Sequence, residues 1–197
     1  FEAGAFRVAG TDRAVRIEAV ARAAYALGAL PQGEEKGLTA LAMVAAEDAT
    51  FPNGCHVCEA EVDPETGEAA VTRYTVVDDV GTVVNPMLLK GQIHGGVAQG
   101  LGQALMEEIA FDAESGQLLS ASFMDYAMPR AADLPMIDVL GNHHPTPNNP
   151  LGAKGAGEAG TVGALPAVMA AVADACGVEH LDMPATPERV WLALRAR

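Results

Sequence analysis

No apolar run in this 197-residue sequence approaches the ~20 residues that cross a bilayer, so no membrane-spanning helix is expected. The first ten residues, FEAGAFRVAG, lack the basic, apolar and small-residue order of a signal peptide, which makes the cytoplasm the expected location. Basic charge is scarce as well. Twelve Lys and Arg stand against 26 Asp and Glu, a net charge of -14 that repels nucleic-acid phosphates and anionic membrane surfaces. Cysteine is limited to three residues, an odd number in a chain too large to need a disulfide scaffold, and reduced thiols are expected. Residue 1 is not Met and FEAGAFRVAG reads as a hairpin entered halfway, so the chain is expected to be a fragment or a processed piece.

What is present suffices for one large or two small domains with a real core. Thr11 or Asp12 is a candidate cap for a helix whose apolar residues Val15, Ile17, Val20, Ala21, Ala24 and Leu27 recur at three- and four-residue steps up to Gly28. After LTALAMVAA, the segments CHVCEAEVD and EAAVTRYTVVDDV alternate, and the Asp63-Pro64-x-x-Gly67 turn between them predicts an antiparallel hairpin. From Pro86 to about Glu108 the period changes. Leu89, Ile93, Val97, Leu101 and Leu105 step by four, which predicts a helix of roughly 30 Å. A short hairpin is expected in FDAESGQLLSASFMDY, a strand in LPMIDVLGN, and an irregular loop from His143 to Gly160. Two helices close the chain, one near Val162 to Cys176 and one from Pro187 to Ala196 capped by Thr186. The expected class is α+β, with antiparallel or mixed sheets packed by helices in one domain of two interleaved lobes.

Several motifs invite a chemical reading. Cys55-x-x-Cys58 lacks a second ligand pair for zinc, and on a strand the two side chains point to opposite faces, so buried strand thiols are expected. His143 and His144 have no Cys, Asp or Glu at ligand spacing; a zinc hydrolase built on them is a poor reading, and no metal ligand is assigned. GQIHGGVAQGLGQ places five glycines in a helix interior, each costing about 1 kcal/mol. It matches neither the dinucleotide fingerprint nor the P-loop. Either a neighbouring helix or a ligand approaching the backbone accounts for it. Glu158, in GAKGAGEAG, has the plain reading of a carboxylate stabilised at a helix start. A cap alone has no use for Gly152, Gly155, Gly157 and Gly160, whereas close approach to a ligand does.

In order, GQIHGGVAQGLGQALMEE, SFMDYAMPRAADLP, NPLGAKGAGEAGTVGALPAVMAAVADA and DMPATPERVWLAL resemble the C-terminal part of the molybdopterin-binding large subunit of the xanthine dehydrogenase, aldehyde oxidase and aerobic carbon monoxide dehydrogenase family. FPNGCHVCEAEVDPETG is similar to the carbon monoxide dehydrogenase branch. The resemblance implies a molybdenum hydroxylase that binds a molybdopterin dinucleotide, the cytosine form in bacteria, between two α+β lobes. It implies that Glu158 is the active-site base, buried beside the metal group. It implies that Gln92 hydrogen-bonds the cofactor and that Lys154, Gly155, Ala156 and Gly157 lie along it. It also implies an upstream half of the large subunit, and partner subunits carrying iron-sulfur (2Fe-2S) and flavin (FAD) centres. The upstream lobe, with the loop that supplies a copper-binding Cys in carbon monoxide dehydrogenases, is missing from the sequence, so the isolated chain is expected to be inactive. His94 stands where many xanthine-type relatives carry Glu, which separates this sequence from that branch. The competing expectation is a non-catalytic structural or assembly module of a multi-subunit oxidoreductase, in which the glycines pack helices and Glu158 merely caps.

Overall fold

The computed structural model describes residues 1–26, 30, 32–33, 36–45 and 48–196. They fall into two units consecutive in sequence, residues 1–45 and residues 46–197.

The first unit opens with a small antiparallel hairpin, β1 (Ala5–Arg7) against β2 (Ala14–Arg16), with Ala5 opposite Arg16. The helix α1 (Ile17–Tyr25) follows directly. It begins later than Thr11 or Asp12 predicted. Thr11 instead tightens the hairpin turn: its Oγ1 donates to Val8 O at 3.0 Å and accepts from Arg13 N at 3.2 Å. Short polar side chains offer the backbone this alternative to helix capping. Val15 lies on β2, and the position preceding the helix is Arg16, whose guanidinium reaches first-turn Glu18 at 2.9 Å. Leu27 and Gly28, the expected end of the helix, lie outside the described residues.

The second unit is built on the predicted hairpin of β3 (Asn53–Val62) and β4 (Ala69–Asp79). Asp63 makes the turn. Its Oδ1 accepts from Glu65 N at 2.7 Å, its backbone N donates to Glu68 O, and Gly67 closes the loop at φ 76°. A bulge after Glu59 lets Ala60 pair with Val71, and Thr72 on the opposite strand turns its hydroxyl to Glu59 O at 3.2 Å. On β3, His56, Cys58, Ala60 and Val62 face inward while Cys55, Val57, Glu59 and Glu61 face water. The two thiols therefore occupy opposite faces as expected, but Cys55 is exposed rather than buried, because the outward face of β3 is an uncovered sheet surface. Burial pushes the Cys58 thiol up to about 11. β5 (Ile137–Gly141) joins β4 in parallel, giving a mixed sheet of order β3-β4-β5. The segment 111–126 yields a single bridge, Phe111 to Leu118, rather than a pair of strands.

Three helices complete this unit. Helix α2 (Pro86–Leu105) starts with proline in its first turn, and Asn85 Oδ1 accepts from Met87 N and Leu88 N at 3.1 Å. It stops at Leu105, before Glu108. Helix α3 (Ala159–Cys176) begins three residues earlier than its apolar pattern suggested and ends on Gly177 at φ 58°. Helix α4 (Pro187–Arg195) is capped by Thr186 as expected. The core lies where the inner face of the sheet, Tyr74, Val76 and Ile137, meets Ile93, Val97 and Leu101 of α2, Ala164, Val168, Val172 and Cys176 of α3, and Val190 of α4. Among the described residues, α3 is the one helix long and apolar enough by length and mean hydropathy to cross a bilayer, which the sequence reading did not anticipate. Its fully buried stripe at four-residue steps, packed on α2 and β3, makes it the central helix of this core.

Candidate functional site

The irregular loop before α3 is stitched down at its start and loose at its end. Asn149 clamps it, donating from Nδ2 to Ala153 O at 2.8 Å and accepting from Ala153 N at 3.2 Å. Gly152 turns the chain at φ 68°, Thr82 N donates to its carbonyl at 2.9 Å, and Lys154 N donates to Val80 O at 2.9 Å. The anchor is Asp79, at the end of β4 and only 8% exposed. Its Oδ1 accepts from Gly81 N and His144 N at 2.9 Å, and its Oδ2 meets Lys154 Nζ at 2.6 Å. These donors, the His144 amide first, hold the Asp79 carboxyl well below the usual carboxylate range.

Beyond Lys154 the chain is held differently. A Cβ placed on Gly155 or on Gly157 would meet nothing within 4 Å, and neither residue has a positive φ. The tether is Gln92 of α2, whose Nε2 donates to Gly157 O at 2.9 Å. The next residue, Glu158, occupies the position preceding α3, with φ −104° and ψ −11°, and its carbonyl accepts from Val162 N at 3.0 Å. Its side chain makes no capping hydrogen bond. The hydrogen-bonded end-stop that would explain this carboxylate without any ligand is therefore not formed.

Of the residues singled out in the sequence, Gln92, Gly157 and Glu158 are thus brought to one place. Gly155 and Ala156 sit in the same short arc, and Lys154 has its ammonium committed to Asp79. Glu158 is exposed rather than buried, because it stands at the open rim of a cleft. That cleft, of about 310 Å³, is lined by Pro52, Gly54, His56, Asp78, Glu158 and Val162 among others. The glycines also divide. Gly152 serves the turn, and Gly160 serves helix packing, since a Cβ there would lie 2.6 Å from Ile93 O. On α2, Gly96 and Gly100 face α3, where Thr161 Oγ1 also donates to Gly96 O at 3.0 Å. Gly91 and Gly95, one turn apart beside Gln92, have open space over them. Among the described residues no cluster of three or more His, Cys, Asp or Glu could hold a metal ion, and His143 and His144 form none. A group with its own metal ligands is accommodated by such a site. The open glycines and the exposed amide of Gln92, whose Oε1 has no partner among the described residues, leave backbone and side-chain polar groups free to meet it.

Sequence reasoning missed Asp79, the anchor of the loop, and the buried pair His56 and Asp78 that shares the cleft with Glu158. A signal existed. Asp78 and Asp79 directly follow the apolar pair Val76 and Val77, and the inward alternation of Tyr74 and Val76 carries on to Asp78.

Comparison with known proteins follows from this geometry. Residues 1–135 match the family model described as a molybdopterin cofactor-binding domain. The chain is 40% identical to the carbon monoxide dehydrogenase large chain of Hydrogenophaga pseudoflava, over 99% of this chain and 24% of that one. It is 37% identical to the 6-hydroxypseudooxynicotine dehydrogenase complex subunit gamma of Paenarthrobacter nicotinovorans, over 96% of this chain and 24% of that one. The fold is similar to quinoline 2-oxidoreductase from Pseudomonas putida 86, with a TM-score of 0.84 at 38% identity, covering 98% of this chain and 25% of that one. The chain spans about a quarter of the length of these relatives.

Proposed function

The chain belongs to the molybdopterin cofactor-binding domain family of molybdenum hydroxylases; on that premise, we propose that it supplies the proton-accepting glutamate and one wall of the cofactor site of such an enzyme. The observation that carries the reading is the junction of Gln92 with Gly157 at 2.9 Å, directly before a Glu158 whose side chain caps nothing. When bound, the molybdopterin dinucleotide, in its cytosine form, supplies the redox chemistry of oxidative hydroxylation. Gly91, Gly95, Gly155, Ala156 and Gly157 give it bare backbone to lie against, and Gln92 offers its free Oε1. Lys154 holds the arc in place through its ion pair with Asp79. Glu158 takes up a proton at its carboxylate during hydroxylation, and the Gln92 tether on the preceding carbonyl limits how far that carboxylate can wander.

The substrate class in this reading is an aldehyde, an N-heterocycle or a small molecule such as carbon monoxide, in keeping with the names of the relatives. Electrons leave to iron-sulfur (2Fe-2S) and flavin (FAD) centres on partner subunits, and the upstream part of the large subunit supplies the rest of the pocket, so the isolated chain turns nothing over. The assembly works in the cytoplasm, where thiols such as those of Cys55 and Cys58 stay reduced.

The test is Glu158→Gln in a full-length protein carrying this sequence. Turnover is expected to fall about 10²- to 10⁴-fold, as for other positioned general bases, while the thermal midpoint and molybdenum content hold. Turnover within a few-fold of the parent enzyme would return Glu158 to the role of an inert helix-start charge.

A further inference from the structure

Two buried side-chain atoms among the described residues lack a hydrogen-bond partner, His94 Nε2 and Asp78 Oδ2. Asp78 is the more consequential, because it borders the cleft of Glu158 and an unpartnered carboxylate oxygen is costly to bury. The residue is 3% exposed. Its other oxygen, Oδ1, has only His56 Nε2 at 3.7 Å, too far for a hydrogen bond. His56 in turn is held by Tyr74, whose hydroxyl lies 2.8 Å from Nδ1 and which burial keeps in its protonated form.

The cleft of Glu158 thus carries two carboxylates, and neither Lys nor Arg lines it. Asp78 also lines a second cavity of about 330 Å³ with Lys90 and His143, yet neither is paired with it. Room is kept around Asp78 and His56. Gly54 stands opposite Asp78 in the hairpin, and a Cβ on it would collide with Asp78 Oδ1; a Cβ on Gly163 would come within 2.6 Å of the His56 ring. Beside the Glu158 carboxylate the lining is small or apolar, with Pro52, Ala159 and a 66% exposed Val162. A buried carboxylate left without a partner in its own domain is one half of an interface whose other half brings the opposite charge. The anionic phosphates of a dinucleotide are repelled by the two carboxylates and do not fit that description.

We propose that this cleft seats a cationic side chain, Arg or Lys, from the portion of the polypeptide that makes the relatives about four times longer than this chain, and that Asp78 is its counter-ion. The assignment rests on reading the chain as part of a large subunit, and is independent of Glu158 acting as a base. Charge-assisted hydrogen bonds to a carboxylate are what guanidinium and ammonium groups supply.

The experiment places a genetically encoded benzophenone amino acid at Asn53, an exposed residue at the cleft mouth, in the full-length protein, followed by irradiation and peptide mapping. The expected crosslink joins residue 53 to an Arg- or Lys-containing peptide of the same polypeptide outside these 197 residues. Asp78→Asn is expected to lower its yield several-fold, and alanine at the identified cation to lower it equally, with no further loss in the double variant. Crosslinks confined to these 197 residues, to a peptide without Arg or Lys, to a separate polypeptide, or to nothing overturn the proposal. Should Asp78→Asn not fold, the crosslink in the protein with native Asp78 decides. Loss of the base role by Glu158→Gln leaves the crosslink in place, so the two readings fail separately.

Discussion

At the crossing of α2 and α3, Gly96, Gly100 and Gly160 let two backbones touch. A Cβ on Gly96 would lie 2.9 Å from Gly160 Cα, and one on Gly100 would lie 2.6 Å from Ala164 Cβ. Elsewhere on the same helix, and in the arc before α3, Gly91, Gly95, Gly155 and Gly157 have open space where a side chain would go. Packing therefore explains the first group completely and the second not at all. The lesson is that a glycine without a neighbour in its own chain is better evidence for something outside that chain than a glycine pressed against a helix, although the two look alike in a sequence.

Substitutions can break this comparison or sharpen it. The largest effect is expected at the crossing: Gly160→Val should remove about 1–3 kcal/mol of stability by forcing α3 off Ile93, read as a lower thermal midpoint of the full-length protein. An unchanged midpoint would mean that the crossing is loosely packed. Next comes the anchor of the loop. The Asp79 carboxyl is held low by its three donors, so its contribution is present above the ordinary carboxylate range, about pH 4, and is lost as pH falls through its lower native value. Thermal unfolding followed from about pH 6 down to about pH 2 should show a steeper acid loss in the parent protein than in Asp79→Asn. Equal slopes would show that Lys154 and His144 do not depend on that charge.

Gly91→Ala should go the other way, stabilising α2 by up to about 1 kcal/mol because a helix-interior glycine is replaced where nothing is in the way, while molybdopterin content of the purified protein drops. The smallest stability change is expected for Gly157→Ala, within about 0.5 kcal/mol, again with lower cofactor content. If both variants keep full cofactor content, the open glycines do not serve the cofactor.

Much of the second unit was legible. The Asp63 to Gly67 turn, the Thr186 cap and the four-residue step of α2 are local chemistry, and each appears where the residues indicate. Thr11 misled because a threonine before an apolar stretch can serve a hairpin turn as readily as a helix start. The arc around Glu158 was singled out from its glycine density, yet its glycines do not share one purpose. Gly152 and Gly160 answer to a turn and to a helix crossing, and Glu158 stands on the rim of its cleft instead of beneath it. Asp78 and Asp79 escaped notice because their neighbours in sequence are strand residues, whereas their partners come from other elements.

The sequence by itself determined the β3–β4 hairpin and its turn, the presence of α2, α3 and α4, the Thr186 cap and membership in a cofactor-binding family, since periodicity, turn residues and ordered motifs are all carried by neighbours along the chain. Only the tertiary structure decided that β5 runs parallel to β4, that Gln92 reaches Gly157 across 65 residues, and that Asp79 holds Lys154 across 75. It also decided which glycines are spent on packing and which are left open. Those outcomes depend on which surfaces meet when the chain closes on itself, and no local spacing encodes that.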